Sequence, residues 1–397
     1  MINYLLPKDW IKYNKLAVAD ALVEARASIL CLRTVHYQRR WVDELQKLEL
    51  KREVAGTSKI EGADFTDHEL DEALTKNPEE LKARAQKQAA AALRAYKWIA
   101  TVPGDRPLTA DLIRVIHGKI VEGADDDHCA PGRLRRQDEN VNFGMPRHRG
   151  SEGGEECQQA FTALIKALQG EYQEHDLIIQ ALAAHYHLAS MHPFEDGNGR
   201  TARALEALML RRAGLKDSSF IAMSNYYYDE KSAYLTVLAE VRQKEHDLTP
   251  FLIFALKGVA SQAKRVLDEI QLHVSRAIFK DLAYELFTRL KSPRKRAIAK
   301  RQLDLLNHLL AVNKLDYFDF FKANLGKYHG LKNPQKALVR DLTNLNNLKA
   351  IAFEKAGENR WNIFVRLQWP TEITETEFFR KLKELPKAKT LAYLHSD

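Results

Sequence analysis

Residues 192–203 read HPFEDGNGRTAR, which places a histidine, a carboxylate, a Gly-Asn-Gly run and two arginines in one short stretch. Pro193 disfavours helical geometry at the residue before it. A helix arriving from upstream therefore stops near Ser190 and presents His192 at its end. Gly197, Asn198 and Gly199 tolerate positive φ and let successive backbone N–H groups converge on an anion. A helix starting behind them adds the positive end of its dipole. Arg200 and Arg203 are three residues apart and share a helix face. Asp196 stands beside the nest, and one carboxylate plus substrate phosphates is a usual way to hold Mg²⁺. Together these residues could supply a general base, a metal ligand, a phosphate cradle and two phosphate-reading guanidiniums.

The elements that must position this stretch are helical. Most of the first 280 residues carry apolar side chains at spacings of three and four, as at Ile178, Leu182, Tyr186 and Ala189. Downstream of the motif, Leu205, Leu208 and Met209 form an apolar stripe that holds the turn against a core, with Phe194 as a plug. His185 and His187 lie two apart, on opposite sides of one helix, with no third ligand in sight, so they read as structural. Residues 123–154 form a long, polar, glycine-rich stretch, the pattern of a loop that is either functional or disordered. Residues 289–301 (RLKSPRKRAIAKR) hold seven cations and no acid, and Ser292-Pro293 reads as a break. The last hundred residues predict helices over 302–312, 317–324 and from Asn333-Pro334 to about Leu345. Two strands at 350–355 and 360–365 follow, joined by a turn through Ala356, Gly357, Glu358 and Asn359.

The chain has 397 residues, a net charge of +8 and few glycines or prolines (18 and 12). That composition excludes wholesale disorder, a collagen-like fibre and a turn-rich β protein. No uncharged apolar run is long enough to span a bilayer, and no signal peptide is evident at the start. Cys31, Cys129 and Cys157 lack metal spacing and read as reduced thiols, which leads to a cytoplasmic expectation with no membrane partner.

The stretch 192–203 resembles the signature of Fic-domain proteins, HxFx(D/E)GNGRxxR, at every specified position. The wider resemblance covers roughly residues 30–256, including 108–121, Pro131-Gly132 with Arg135, and the region of Tyr234. The resemblance implies transfer of AMP from ATP to a Ser, Thr or Tyr hydroxyl of a target protein, with self-modification in addition. His192 would be the general base and Asp196 the Mg²⁺ ligand. Gly197, Asn198 and Gly199 would cradle phosphates, Arg200 would hold the β-phosphate and Arg203 the γ-phosphate. Tyr226 and Tyr234 fall where the family builds its adenine pocket, and core packing accounts for both nearly as well. A hairpin flap that holds the target is expected within residues 133–143.

Residues 57–62, TSKIEG, resemble the family's inhibitory motif, (S/T)xxxE(G/N), at Thr57, Glu61 and Gly62. The implied brake is a Glu61–Arg203 salt bridge that displaces the γ-phosphate. Taken alone, Ser58 to Glu61 also reads as a capping box at a helix start, and both roles could hold. The same glutamate could instead position water and remove AMP from a modified protein.

The expected fold is mainly α: an all-helical Fic core with a small β-hairpin flap, plus a C-terminal winged helix-turn-helix. The expected division is an N-terminal helical region over 1–104 with the inhibitory helix near 57–62, the catalytic core over 105–260, a helical linker with the basic run over 261–300, and the winged helix over 301–397. The stretch 338–347 of the third tail helix (LVRDLTNLNN) offers Arg340 as its one cation, which is weak for DNA recognition. Protein docking or a homodimer is therefore the first expectation for the tail. A DNA-binding regulator with a nucleotide-sensing core is the alternative, and the intact His192 argues against it.

Overall fold

The computed structural model describes residues 2–35, 39–125, 128–144, 146–214, 221–290, 293–312, 314–358 and 360–384. The chain is mainly α and divides into two compact units, residues 1–269 and 270–397. In the first unit the helices are α1 (Lys15–Thr34), α2 (Arg39–Ile60), α3 (Asp67–Thr75), α4 (Arg84–Thr101), α5 (Ala110–Val121), α6 (Glu155–Gln169), α7 (Leu177–Met191), α8 (Asn198–Arg212), α9 (Met223–Asp229) and α10 (Lys231–Gln243). The helix α11 (Thr249–Thr288) contains the division between the units.

Helix α7 is the axis of the first unit. From Ile178 to Met191 every residue is buried, as expected for a helix that is apolar all round. Its N-cap Asp176 accepts from the Ile178 N–H. Helix α8 packs against it and buries Ala204, Leu205, Leu208 and Met209. Helix α2 packs on α9 so closely that a Cβ at Gly56 would lie 2.4 Å from the Ser224 backbone.

A small sheet closes one side of the site. Strands β1 (Ile2–Asn3), β2 (Asn142–Phe143) and β3 (His148–Arg149) run in the order β1-β3-β2. Strand β2 is antiparallel to β3, pairing Phe143 with His148, and β1 is parallel to β3. The flap strands thus fall at 142–149, later than the expected 133–143. Residues 133–141 form an irregular segment instead, in which Arg133 bonds to Glu195 and Arg135 to the His192 carbonyl. The N-terminal strand was not foreseen, because two residues carry no alternation to read.

The second unit holds α12 (Pro293–Val312), β4 (Lys314–Asp316), α13 (Tyr317–Leu325), α14 (Pro334–Asn347), β5 (Ile351–Gly357), β6 (Arg360–Val365), α15 (Trp369–Glu372) and α16 (Glu375–Glu384). The strands order as β4-β6-β5. Its core is built from Phe287, Leu309, Phe320, Leu342, Ile363 and Phe378, among others. The three expected helices and the hairpin are present. The first helix begins nine residues early, because Pro293 sits in the first turn, where its missing N–H costs nothing, and starts a helix rather than only breaking one. The basic run is therefore mostly the first half of α12. Ser292 and Asn359 lie outside the described residues.

Candidate active site

Helix α7 ends at Met191, and His192 takes a left-handed conformation, φ 48° and ψ 62°, before Pro193. Arg135 holds this end in place. Its Nε donates to the His192 carbonyl at 2.7 Å and its Nη1 to the Glu139 carbonyl at 2.8 Å. The ring of His192 is oriented by its own helix, since Nδ1 meets the Ala189 carbonyl. A carbonyl only accepts, so Nδ1 carries the proton and Nε2 keeps its lone pair. Burial pushes the ring pKa down to about 3, which makes the neutral base the resident form. Phe143 of β2 stacks on the imidazole at 3.5 Å between centroids and 7° between planes. Arg242 lies over the same phenyl ring, 4.7 Å from its centroid.

The loop from Phe194 to Gly197 is closed by Asn198. Its Oδ1 accepts from the Phe194 N–H at 2.9 Å, and its Nδ2 donates to the Phe194 carbonyl at 2.8 Å. Asn198 therefore shapes the turn with its side chain and offers only its backbone to a ligand. Gly197 is left-handed, φ 73°, and a Cβ there would lie 2.7 Å from Val121. No side chain caps α8, so its first N–H groups remain available to an anion.

His117 stacks on Phe194 at 3.8 Å. Its Nδ1 accepts from the Gly132 N–H at 2.8 Å, so Nε2 donates to the Asp196 carbonyl at 3.1 Å. Burial lowers its pKa to about 4, and the neutral ring locks the loop. The Asp196 carboxylate is 40% exposed and takes the Gly197 N–H at 2.6 Å.

Two carboxylates govern the arginines. The buried Asp125 receives Arg200 at 2.6 Å, Arg84 at 2.7 Å and Gln88 at 2.8 Å. Glu61 receives Arg203 Nη2 at 2.6 Å. Thr57 assists, because Arg203 Nε donates to its hydroxyl at 3.0 Å and Nη2 to its carbonyl at 3.2 Å. Burial alone would raise the Glu61 carboxyl, but the guanidiniums of Arg203 and Arg200 outweigh it and hold the group below the usual carboxylate range. The Glu61 carboxylate lies directly against Gly199, where a Cβ would come within 2.4 Å of Oε1.

The capping-box reading of residues 58–61 does not hold. Ser58 is buried near the C-terminal end of α2 with its hydroxyl unpartnered. Gly62 at φ 89° ends that helix, with Gly62 N–H bonding Lys59 and Ala63 N–H bonding Ser58. The capping box lies one turn of chain later, at Thr66 and Glu69.

A cavity of about 170 Å³ joins these parts. Glu61, His192, Gly199, Arg203, Tyr234 and the flap residue His148 all line it. Tyr234 also bonds His185 at 2.8 Å, while Tyr226 is not among the lining residues and packs on Phe254. His187 bonds the Trp10 carbonyl. The sequence reasoning missed Asp125, Arg84, Phe143 and His148. Asp125 was visible only as one acid in a polar loop, and nothing local marked its partners.

The Fic/DOC family profile matches residues 107–210. Over 89 residues, 22% of this chain, the sequence is 39% identical to the protein adenylyltransferase Fic of Aedes aegypti, and equally to that of Culex quinquefasciatus. The aligned stretch spans 15% of either relative's length. Among solved structures the fold resembles a Fic family protein from Desulfovibrio desulfuricans G20, with TM-score 0.57 and 18% identity over 91% of this chain and 99% of that one. It also resembles Fic-1 from C. elegans, with TM-score 0.51 and 20% identity over 64% and 74%.

Proposed function

We propose that this chain, which carries a Fic domain, transfers AMP from ATP to a Ser, Thr or Tyr hydroxyl on a target protein and on itself, and that Glu61 holds it inactive. The observation that carries the reading is the imidazole of His192. Its proton is fixed on Nδ1 by Ala189, its Nε2 lone pair is free, and it lines one cavity with the open start of α8.

In this reading Nε2 takes the proton of the target hydroxyl. The hydroxyl oxygen attacks the α-phosphorus, the bond from that phosphorus to the bridging oxygen of the β-phosphate breaks, and pyrophosphate leaves. Backbone N–H groups at Asn198 and Gly199 stabilise the phosphates. Arg200, pre-oriented by Asp125, faces the β-phosphate side, and Arg203 takes the γ-phosphate once Glu61 withdraws. Phe143 keeps the imidazole in plane, and Tyr234 helps wall the base end.

The Asp196 carboxylate, exposed beside the N–H-lined turn, fits Mg²⁺ held by one protein carboxylate plus phosphate oxygens. That ion would neutralise charge on the phosphates when bound. Among the described residues no group of three or more His, Cys, Asp or Glu could hold a metal by itself, so phosphate would have to complete the site.

A second reading rests on Glu61 itself. It is held ionised and lines the cavity with His192, so it could also position water for removal of AMP. The test compares wild type, Glu61→Gly and Glu61→Gly/His192→Ala with Mg²⁺ and ATP labelled at the α-phosphate. Label on protein in Glu61→Gly alone supports transfer with His192 as base. Equal label in the double variant overturns it. Release of AMP from pre-labelled protein by wild type but not Glu61→Gly would favour the second reading.

A further inference from the structure

Charge is unevenly divided along the chain. Residues 270–397 hold 24 Lys and Arg against 13 Asp and Glu, a net of +11, while the first 269 residues are net −3. Such asymmetry points to a polyanionic partner for the basic part. The structure gathers part of that charge into one groove of about 420 Å³ between α12 and the start of α14. Arg301, Lys332, Lys336 and Arg340 line it, with Asn333 at the N-cap of α14.

The groove is organised. The buried Asp341 fixes two of the cations, receiving Arg301 Nε at 2.9 Å and Arg340 Nη2 at 3.5 Å. Tyr328 donates to the same carboxylate at 3.1 Å and lies under the Arg301 guanidinium. One buried acid thus holds two arginines on rigid elements, while Lys332 and Lys336 stand exposed beside them. Asn333 makes no side-chain cap, so the N–H groups of Gln335 and Lys336, the first that α14 has after Pro334, add to the positive end. Gln335 and Lys336 project from that same first turn.

We propose that this groove is a binding surface for duplex DNA, with α14 entering by its N-terminal end and the surrounding cations on backbone phosphates. The third tail helix looked too poor in cations by itself. The structure supplies the missing charge from α12 and from the turn before α14. The groove has no aromatic lining on which single-stranded bases could stack. Nor does it carry the broad apolar face of a membrane-surface helix.

The test uses the full chain and a fluorescein-labelled 25-base-pair duplex of mixed sequence, read by anisotropy from about 50 to 200 mM salt. Wild type should bind, with affinity falling steeply as salt rises. Lys332→Glu/Lys336→Glu should bind at least about tenfold more weakly and flatten the salt slope by roughly 2. Lys257→Glu/Lys264→Glu makes the same charge change on exposed positions of α11 and should stay within about twofold. The proposal fails if wild type does not bind at the lowest salt, or if both double variants lose affinity equally. It also fails if a single strand, anionic vesicles or polyglutamate bind as tightly as the duplex. The readout is binding alone, so it stands apart from AMP transfer.

Discussion

Replacing Glu61 should release AMP transfer, and the structure sets how much. Glu61 meets Arg203 in a charge-assisted contact of 2.6 Å. Bonds of that kind contribute about 1.5–3 kcal/mol. Arg203 is buried, but the Glu61 side chain is 38% exposed, so the lower half of that range applies. Since about 1.4 kcal/mol is a factor of ten, Glu61→Gly should raise self-labelling at fixed ATP by about 10- to 40-fold. Glu61→Gln keeps the shape against Gly199 and a neutral hydrogen bond of about 1 kcal/mol. It should fall between wild type and Glu61→Gly. Thr57→Val removes the hydroxyl that accepts from Arg203 Nε and should release activity about fivefold. The assay is initial-rate incorporation of α-phosphate label at several ATP concentrations, with circular dichroism to confirm folding. A Glu61→Gly rate within twofold of wild type would refute the brake. A Gln variant indistinguishable from wild type would refute charge as its agent.

Because burial lowers His192 to about 3, the base is neutral at every pH above that value. The rate of Glu61→Gly should therefore show no limb near 6.5, the ordinary histidine value, between pH 5 and 8. A limb there that disappears with His192 would contradict the assigned environment. Asp125→Asn leaves the buried Arg200 with only the more distant Asp196 carboxylate, at 3.6 Å, so it should cost about 3 kcal/mol of stability and raise the KM for ATP more than it lowers kcat. Denaturant unfolding and steady-state kinetics check this. Glu53 is buried, accepts from Tyr96 and from the Ser224 N–H, and is pushed up to about 7. Its folded pKa lies above its unfolded value, so the fold binds its proton more tightly and loses stability as pH rises from about 4.5 to 7. Glu53→Gln should flatten the decline of Tm across that window.

The helical class, the local geometry of residues 192–203 and most tail elements were legible because their signals lie between near neighbours in sequence. Pro193 after His192 and the Gly-Asn-Gly turn dictate local backbone geometry wherever the chain goes. The turn residues at Asn333-Pro334 and the alternation at 360–365 behave the same way. Short strands escaped notice because two residues show no period. The start of α12 at Pro293 rather than at 302 was missed because a proline can start a helix as well as stop one, and only packing chose between them.

What the sequence determined by itself is the inventory of the candidate site: an imidazole, a carboxylate, a Gly-Asn-Gly turn and two guanidiniums at fixed spacing. Tertiary structure decided how those groups are set. Glu61 and Arg203 stand 142 residues apart, and Asp125 reaches Arg200 across 75. Phe143 and His192 stack from separate elements, and the basic groove takes its cations from α12, α14 and the turn before α14. Pairings at such separation are not written in any window of residues. They follow from which helix faces must leave water, and folding brings the charged partners together only as those faces close.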